Sequence, residues 1–280
     1  MLAIIRCLKR ACRELGIRFE VLDDNPNFVK VFMGKRVYYF IQFTSPFGRP
    51  DILRICRDKA FTHRLIRDRI RTPRTRDYLD PLCRREYRKF AKFPSHDAIV
   101  DDIAAGFDFP VVVKRNQGTR GRHVFLCRDR EDVAAAVAAV FDPHTKTYDY
   151  VALAQEWISQ ADEYRLIWFE GEIPLVYRKD IGRARFAGNL SPLHWENARA
   201  VPVDDPGLIG RFRDFLAPLP EILDLRYSGL DILVDGRDRP WLLEINSQPD
   251  FALFIRDNGD ERIVALYRRL LESLSRGADA

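Results

Sequence analysis

Two apolar runs near the C-terminal end of the chain contain acidic side chains. Leu230–Val234 and Trp241–Ile245 flank a polar turn, and this pattern predicts a β-hairpin. Asp231 lies within the first run, Glu244 lies within the second, and Asn246 follows directly after it. Residues two apart on a strand share a face, so Glu244 and Asn246 point the same way. The hairpin brings Asp231 opposite them.

This arrangement needs a compensating charge. Unpaired carboxylates are costly among apolar neighbours, and a cation is the natural partner. Hard oxygen ligands that leave room for phosphate oxygens suit magnesium. The alternative is a solvent-facing side of the hairpin with simply exposed acids, which fits poorly for Glu244 inside the apolar sequence WLLEIN.

The pattern along the rest of the chain predicts an α+β fold. The N-terminal segment has helical apolar spacing interrupted by arginines, which favours an amphipathic helix over an export signal. FVKVFM and RVYYFIQF flank Gly34 and Lys35, as in a strand, turn and strand. No glycine-rich fingerprint follows a first strand, so a doubly wound dinucleotide fold is disfavoured.

Composition narrows the functional classes. No apolar run approaches the ~20 residues that a membrane helix needs. The five cysteines form no CxxC pair, and we expect reduced thiols in a cytoplasmic protein. The net charge is +5, and most of the 46 basic residues are arginines. Arginine suits anionic ligands, including phosphates, carboxylates and nucleic acid.

A second segment, VVVKRNQGTRGRHV, combines a lysine with a polar glycine loop. Lys114 ends an apolar strand, Gly118 and Gly121 lie in the loop, and a strand resumes at Val124. Amide groups and one ammonium can together neutralise phosphate oxygens. An ordinary hairpin with turn glycines explains this segment equally well.

A third segment, AQEWISQADEYR, follows the end of another apolar strand. Such a crossing can offer backbone groups to a purine edge, and the acid at Glu163 can accept hydrogen bonds from ribose hydroxyls. Arg165 comes two residues later. A strand with charged flanks is the simpler interpretation of this segment alone.

In this order and spacing, the segments resemble the ATP-grasp superfamily of carboxylate–amine ligases. The resemblance runs from Asp51 to Leu274, and it is closest to the branch of ribosomal-protein glutamate ligase, cyanophycin synthetase and bifunctional glutathione synthetase. The chain departs from the usual loop pattern at His123, where the third glycine would stand. It also has Ser247-Gln248-Pro249 where the branch often has a run of small residues before proline.

The resemblance implies a set of site residues. It assigns nucleotide binding to one group and metal binding to a second. It assigns the reaction itself to a third, in which Arg178, together with Arg165, would stabilise the oxyanion. The nucleotide group is Lys59, Lys114, Gly118, Thr119, Gly121, Gln155, Glu156, Ile158 and Glu163, the metal group is Asp231, Glu244 and Asn246, and the catalytic group is Arg178, Arg165 and Asn189.

The resemblance also implies an architecture and an activity. A short helix and hairpin over residues 1–50 would precede an ATP-grasp domain over 51–275, with a nucleotide lobe at 51–150 and a metal and substrate lobe at 151–275. The cofactors would be ATP and Mg²⁺, with two ions expected and Mn²⁺ as an alternative. The substrates would be small-molecule or peptide carboxylates and amines, and a homo-oligomer stays open.

Two other functions remain open from the residues. One is an ATP-grasp kinase that phosphorylates a small hydroxylated substrate without an amine step. The other is a non-enzymatic protein that binds nucleotide or nucleic acid through the basic stretch Arg64–Lys92, which holds eleven Lys and Arg. That stretch has few aromatics, so base stacking is poorly supported and a solvated arginine-rich face is favoured. We expect no membrane partner.

Overall fold

A computed structural model describes residues 1–118, 121–159, 161–185 and 190–278. The described chain contains three sheets whose neighbouring strands are all antiparallel. The strands are β1 (Phe19–Val21), β2 (Phe28–Met33), β3 (Arg36–Ile41), β4 (Thr75–Leu79), β5 (Val111–Arg115), β6 (Val124–Cys127), β7 (Val151–Glu156), β8 (Asp162–Phe169), β9 (Glu172–Asp180), β10 (Arg199–Pro202), β11 (Tyr227–Val234) and β12 (Pro240–Asn246).

Helices cover these sheets, and a 3₁₀ turn at Pro192–His194 precedes β10. Within the described residues, no helix combines the length and apolar character that a membrane crossing requires. The helices are α1 (Ala3–Glu14), α2 (Pro50–Arg57), α3 (Lys59–Ile66), α4 (Arg85–Arg88), α5 (His96–Gly106), α6 (Arg130–Val140), α7 (Pro206–Leu216), α8 (Leu219–Ile222), α9 (Ala252–Asn258) and α10 (Glu261–Ala278).

The first large sheet has the strand order β4-β7-β5-β6. Its core face packs on α5 and α6, because Val111, Val113, Ala152 and Ala154 alternate along β5 and β7 toward these helices. The other face of the same strands is turned to a cleft. A solvated face was favoured for Arg64–Lys92, but β4 forms within this stretch because the Tyr78 side chain is 1% exposed in the core.

The second large sheet has the order β10-β9-β8-β11-β12. One of its faces, including Leu166, Leu230 and Leu242, packs against α2, α3, α7 and α8. The other face changes along its length. Its apolar end, with Ile167 and Tyr227, packs toward α1 and α10, and its polar end is turned to the cleft.

The N-terminal segment shares a core with the C-terminal helix. Buried residues of α1, β2 and β3 pack in one cluster with α10 and with the apolar end of the second large sheet. The α+β fold expected from the sequence is confirmed. The two large sheets are joined by the short crossing from β7 to β8, which borders the cleft between them.

Candidate active site

The cleft between the two large sheets is the candidate active site. Its empty volume is about 380 Å³. Side chains from both sheets and from α3 line it, and they include Lys59, His63, Thr75, Lys114, Gln155 and Glu244.

Lys114 forms the buried cationic wall of this cleft. It ends the apolar strand β5 and is 7% exposed. Its Nζ donates to Gln155 Oε1 at 2.7 Å, and Gln155 Nε2 donates in turn to Thr75 Oγ1 at 2.8 Å. Burial lowers the pKa of Lys114 to about 8. Within the described ranges, the only side-chain hydrogen-bond partner of this ammonium is neutral, so a bound anion would stabilise its charged form.

Lys59 connects the glycine loop to the second sheet. Asp58 caps α3 by accepting a hydrogen bond from Phe61 N at 2.9 Å, which places Lys59 at the first helical position. Lys59 Nζ donates to the Gly118 carbonyl at 2.8 Å and lies 3.2 Å from Glu244 Oε1. The predicted metal ligand and the predicted phosphate ligand thus form an ion pair with each other.

A second charged cluster surrounds Asp231. Arg165 Nε and Nη2 donate to the two carboxylate oxygens at 2.7 and 2.8 Å. Lys179 Nζ lies 2.8 Å from Asp231 Oδ1 and also pairs with Glu163. Asn246 Nδ2 donates to Asp231 Oδ2 at 3.0 Å. These side chains lie on the cleft face of the sheet, so the predicted acid and amide come together.

The pKa directions in this cluster follow from opposing effects. Burial alone would raise the pKa of Asp231, but Arg165 and Lys179 hold it well below its usual value. Burial likewise opposes the charged form of Lys179, yet Asp231 and Glu163 raise its pKa. Burial raises the pKa of Glu163 against the attraction of Lys179. Asp231 and Lys179 are therefore held in their charged forms.

Of the three predicted metal ligands, Asp231, Glu244 and Asn246, two are placed so that they could bind a hard cation. Both oxygens of Asp231 are occupied by cations, whereas Glu244 has one oxygen on Lys59. Asn246 turns its amide hydrogen to Asp231, which leaves the Oδ1 atom available. Among the described residues, no three His, Cys, Asp or Glu side chains form a group that could hold a metal ion. A Mg²⁺ ion would therefore rest first on Glu244 and the amide oxygen of Asn246.

The structure does not bring Arg178 together with Arg165, the other described member of the predicted catalytic group. It is paired across the sheet with Tyr164, on the face opposite Asp231 and Arg165. Its guanidinium lies 3.6 Å from Asp162 and 3.5 Å from Asp180. The residue that reaches Asp231 is its neighbour Lys179, because successive strand residues point to opposite faces.

Lys179, Thr75 and His63 were not among the predicted site residues. Lys179 lies two residues after the buried Tyr177 on β9, and because side chains alternate between the two faces of a strand, this spacing places both on the same face. Thr75 is visible only through its hydrogen bond to Gln155. His63 lines the cleft from α3, where burial, with Arg67 and Lys114 nearby, lowers its pKa. No spacing signal in the sequence pointed to it.

The predicted adenine segment lies at the crossing between the sheets. Gln155 faces the cleft, but its side chain is occupied by Lys114 and Thr75. Glu156 ends β7 and accepts a hydrogen bond from Arg74 N at 3.1 Å, and Ile158 is buried just beyond it. The backbone at Glu156 and Ile158 thus borders the cleft, and its role toward adenine stays a prediction.

The glycine loop follows β5 directly. Gly121 has φ of +66°, and His123 has φ of +53°. The left-handed region favours glycine, so the histidine occupies a position that a glycine would fill at lower cost. His123 Nε2 is 3.0 Å from Thr147 Oγ1, which fixes the ring. Thr119 and Asn189, both predicted site residues, lie outside the described residues.

Three comparisons bear on this geometry. Residues 57–192 match the model of the RimK-like ATP-grasp domain. The chain is 25% identical over 208 residues to alpha-aminoadipate–LysW ligase LysX of Sulfolobus acidocaldarius, covering 72% of this chain and 65% of that protein. It is 28% identical over 157 residues to a probable alpha-L-glutamate ligase of Aeromonas salmonicida, covering 55% of this chain and 48% of that protein.

Solved structures show the same fold. D-alanine–D-alanine ligase from Bacillus anthracis complexed with ATP superposes with a TM-score of 0.52 at 19% identity, covering 78% of this chain and 64% of that one. The ATP-grasp ligase PsnB complexed with a minimal precursor gives 0.52 at 19% identity, covering 82% and 64%. A bifunctional glutathione synthetase from Pasteurella multocida gives 0.55 at 14% identity, covering 98% and 44%. The chain thus spans less than two thirds of the length of each of the curated and solved proteins named here.

Proposed function

Because the chain carries a RimK-like ATP-grasp domain, we propose that it is an ATP-dependent carboxylate–amine ligase. A substrate carboxylate oxygen attacks the γ-phosphorus of ATP, and the bond to ADP breaks. An amine nitrogen then attacks the carbonyl carbon of the acyl phosphate, and inorganic phosphate leaves. The product is an amide, and the proton lost by the amine passes to phosphate or solvent.

The buried ammonium of Lys114 is the observation that carries this proposal. In the cleft it donates to a neutral amide oxygen, and burial disfavours its charge. Lys59 lies in the same cleft, so the two lysines face the single lining carboxylate of Glu244 among the described residues there. A surplus of positive charge in a confined space matches a polyphosphate.

The chain's own residues would then divide the work. Lys59 and Lys114 hold phosphate oxygens, and Gln155 fixes the direction of the Lys114 ammonium. Glu244 and Asn246 would hold Mg²⁺, which when bound offsets charge on the transferred phosphoryl group. The catalytic power comes mainly from positioning and electrostatic stabilisation.

The charged cluster around Asp231 supports the reacting end. Asp231 orients Arg165 and Lys179 through short hydrogen bonds and ion pairs. Two cations held in this way can stabilise negative charge on the reacting carboxyl group. Glu156 and Ile158 would contact adenine through their backbone, and Glu163 would reach the ribose only after changing partners from Lys179.

The names of two relatives support a proposal for the substrate class. One of them is named as a ligase that uses LysW, and one solved relative is complexed with a minimal precursor. We therefore favour a polypeptide carboxylate or amine over two free small molecules. The five cysteines are free and buried, which supports a reducing, cytoplasmic setting.

The test is an acyl-phosphate trap. The protein is incubated with Mg²⁺-ATP, hydroxylamine and a panel of amino acids and short acidic peptides, and both hydroxamate and ADP are measured. A ligase gives hydroxamate and ADP together, and the Lys114→Met variant gives neither. ADP release with a phosphorylated product and no hydroxamate would establish the kinase instead. Absence of any ATP turnover across the panel would contradict the proposal.

A further inference from the structure

A basic surface with exposed apolar side chains follows β4 in the chain, and the proposed mechanism makes no use of it. It consists of one segment that includes α4. Leu82 is 63% exposed and Phe90 is 64% exposed, and Tyr87 is also exposed. Five exposed cations and one exposed acid, Glu86, are interspersed with them, and one of the cations, Arg88, is held by backbone carbonyls. We call this the 82–92 surface, with the members Leu82, Arg84, Arg85, Tyr87, Lys89, Phe90 and Lys92.

The cations of the 82–92 surface have no acidic partners. Across the described ranges of the chain, Arg84, Arg85, Lys89 and Lys92 form no ion pair. Some other exposed arginines of residues 51–150 differ in this respect. Arg64 pairs with Asp77, Arg76 with Asp102 and Arg130 with Asp101. The charge of the 82–92 surface is therefore available to a partner.

The surface is rigidly built. Asp80, which is 2% exposed, accepts hydrogen bonds from Leu82 N at 2.8 Å and Tyr148 Oη at 2.7 Å, and it contacts His96 Nε2 at 2.8 Å. Arg88 Nε donates to the Cys83 carbonyl at 2.7 Å and closes the turn. A partner would thus bind a preformed surface and would pay little ordering entropy.

The surface is also joined to the phosphate end of the cleft. The Tyr87 ring packs edge-on against Tyr150, with centroids 5.8 Å apart. The next residue, Val151, accepts a hydrogen bond from Asn116 N at 3.0 Å, at the start of the glycine loop. Gln117 N in the same loop donates to Asp149 at 2.7 Å. One short stretch, residues 149–151, therefore links the surface to the loop.

We propose that the 82–92 surface binds an acidic, partly apolar stretch of the polypeptide substrate. This inference rests on the proposed ligase function. Unpaired cations between exposed apolar side chains complement a segment in which carboxylates alternate with aliphatic residues. Nucleic acid is disfavoured because the 82–92 surface offers two exposed rings, Tyr87 and Phe90, and Tyr87 packs edge-on against Tyr150, so there is no row of rings on which successive bases could stack.

The binding experiment uses a fluorescein-labelled peptide rich in glutamate and leucine, with fluorescence anisotropy as the readout. The charge-reversed variant carries Arg84→Glu, Arg85→Glu and Lys89→Glu. We expect it to bind the peptide at least about tenfold more weakly, because each exposed charge contributes modestly and three are reversed. The matched control carries Lys35→Glu, Arg237→Glu and Arg269→Glu, three exposed cations elsewhere with the same change in net charge. Its affinity should stay close to that of the unaltered protein.

The apolar part has its own pair of variants. Phe90→Ser should weaken peptide binding severalfold. The control is Phe61→Ser, which removes an exposed phenylalanine on α3, outside the 82–92 surface, and should leave peptide binding unchanged. Equal effects of the charge-reversed and control variants would overturn the proposal. Tighter binding of a labelled single-stranded RNA at the same ionic strength, lost in the same variant, would overturn it in favour of nucleic acid.

The peptide-binding experiment and the hydroxamate experiment can fail independently of each other. If the charge-reversed variant still forms hydroxamate from a small carboxylate but has a raised KM for the peptide, both proposals stand. If the unaltered protein forms hydroxamate and peptide binding ignores the charge reversal, only the 82–92 surface fails. If no hydroxamate forms while peptide binding depends on the surface, only the ligase assignment fails.

Discussion

Lys59 Nζ lies 3.2 Å from Glu244 Oε1, and the same ammonium donates to the Gly118 carbonyl at 2.8 Å. This ion pair links the glycine loop after β5 to strand β12. In the proposed reaction the two partners must separate, because Lys59 binds phosphate and Glu244 binds the cation. The pair therefore holds each ligand until the Mg²⁺-nucleotide complex replaces it.

The first prediction concerns the charge of Glu244. In Glu244→Gln the neutral amide neither repels the polyphosphate nor neutralises Lys59. We expect ATP without Mg²⁺ to bind more tightly by about 1 kcal/mol, the size of one partly exposed charge interaction. Turnover with Mg²⁺ should fall by at least about 100-fold, because a metal ligand is lost. Calorimetric titration with ATP in EDTA and in Mg²⁺ separates the two effects.

The control for this prediction is Glu221→Gln. Glu221 is an exposed carboxylate paired with Arg69 on the outer side of the fold, so its loss changes the net charge equally. It should leave both the affinity and the turnover unchanged. A fall in metal-free affinity in Glu244→Gln would show that the carboxylate does not compete for Lys59.

The second prediction concerns protonation of Lys114. Its pKa is lowered from 10.5 to about 8 by burial, and a bound polyphosphate would restore the charged form. At pH 8.5 the free protein has largely lost this proton, so ATP binding should take up close to one proton. Calorimetry in buffers with different ionisation enthalpies measures this uptake. Lys114→Arg should abolish it, since the guanidinium stays charged.

The same shift predicts the pH dependence of stability. Below pH 8 the ammonium is charged in both the folded and the unfolded chain, and its burial cost is fully present. Between pH 8 and 10.5 the folded chain releases the proton first, so this contribution to stability rises with pH. Lys114→Met should gain most in free energy of unfolding at pH 7, and its advantage should shrink toward pH 10. Urea titrations at several pH values check the trend.

The third prediction concerns Gln155, which orients Lys114. In Gln155→Leu the ammonium loses its acceptor and Thr75 loses its donor, at a cost of about 1–3 kcal/mol in unfolding free energy. The KM for ATP should rise. In Gln155→Glu a carboxylate faces Lys114 instead, which raises the pKa of the lysine and removes the net positive charge. ATP affinity should then fall further than in Gln155→Leu, although the folded state is more stable.

Two charged residues in apolar runs were predicted from the sequence to lie at the site, and both line the cleft, whereas Asp231 in a third such position is held by Arg165 and Lys179. These two residues are Lys114 and Glu244, and the pattern pointed to them because a charge among apolar neighbours is costly unless it has a partner. The hairpin of β11 and β12 was equally readable from two apolar runs around a polar turn. One detail escaped: the register shifts between Asp231 and Ile232, and this bulge leaves Leu243 without a counterpart in the pairing.

Other features depend on distant packing and could not be predicted locally. The amphipathic pattern of α1 gives its buried face but not its partner, which is α10 at the other end of the chain. Strand β4 is short and carries one arginine and one aspartate, and only its pairing with β7 defines it. The side-chain direction of Arg178 and Lys179 depends on strand parity, which composition and motif spacing leave undetermined.

The fourth prediction separates these two neighbours. Lys179→Met leaves Glu163 unpaired and removes one of two cations on Asp231, so the buried cluster carries an uncompensated charge. Breaking a buried ion pair costs about 3–5 kcal/mol, and turnover should be lost with it. Arg178→Met removes two long contacts on the opposite face, and its effect on unfolding should stay within about 1 kcal/mol.

Lys179→Arg supplies the rescue that distinguishes catalysis from folding. It keeps a cation beside Asp231 and should recover most of the stability in urea titrations. If Lys179 also contacts the reacting group, turnover should recover only in part, because a planar guanidinium presents its donors differently from a compact ammonium. The opposite pattern, in which Arg178→Met abolishes ADP release and Lys179→Met retains it, would support the catalytic role expected of Arg178 from the sequence.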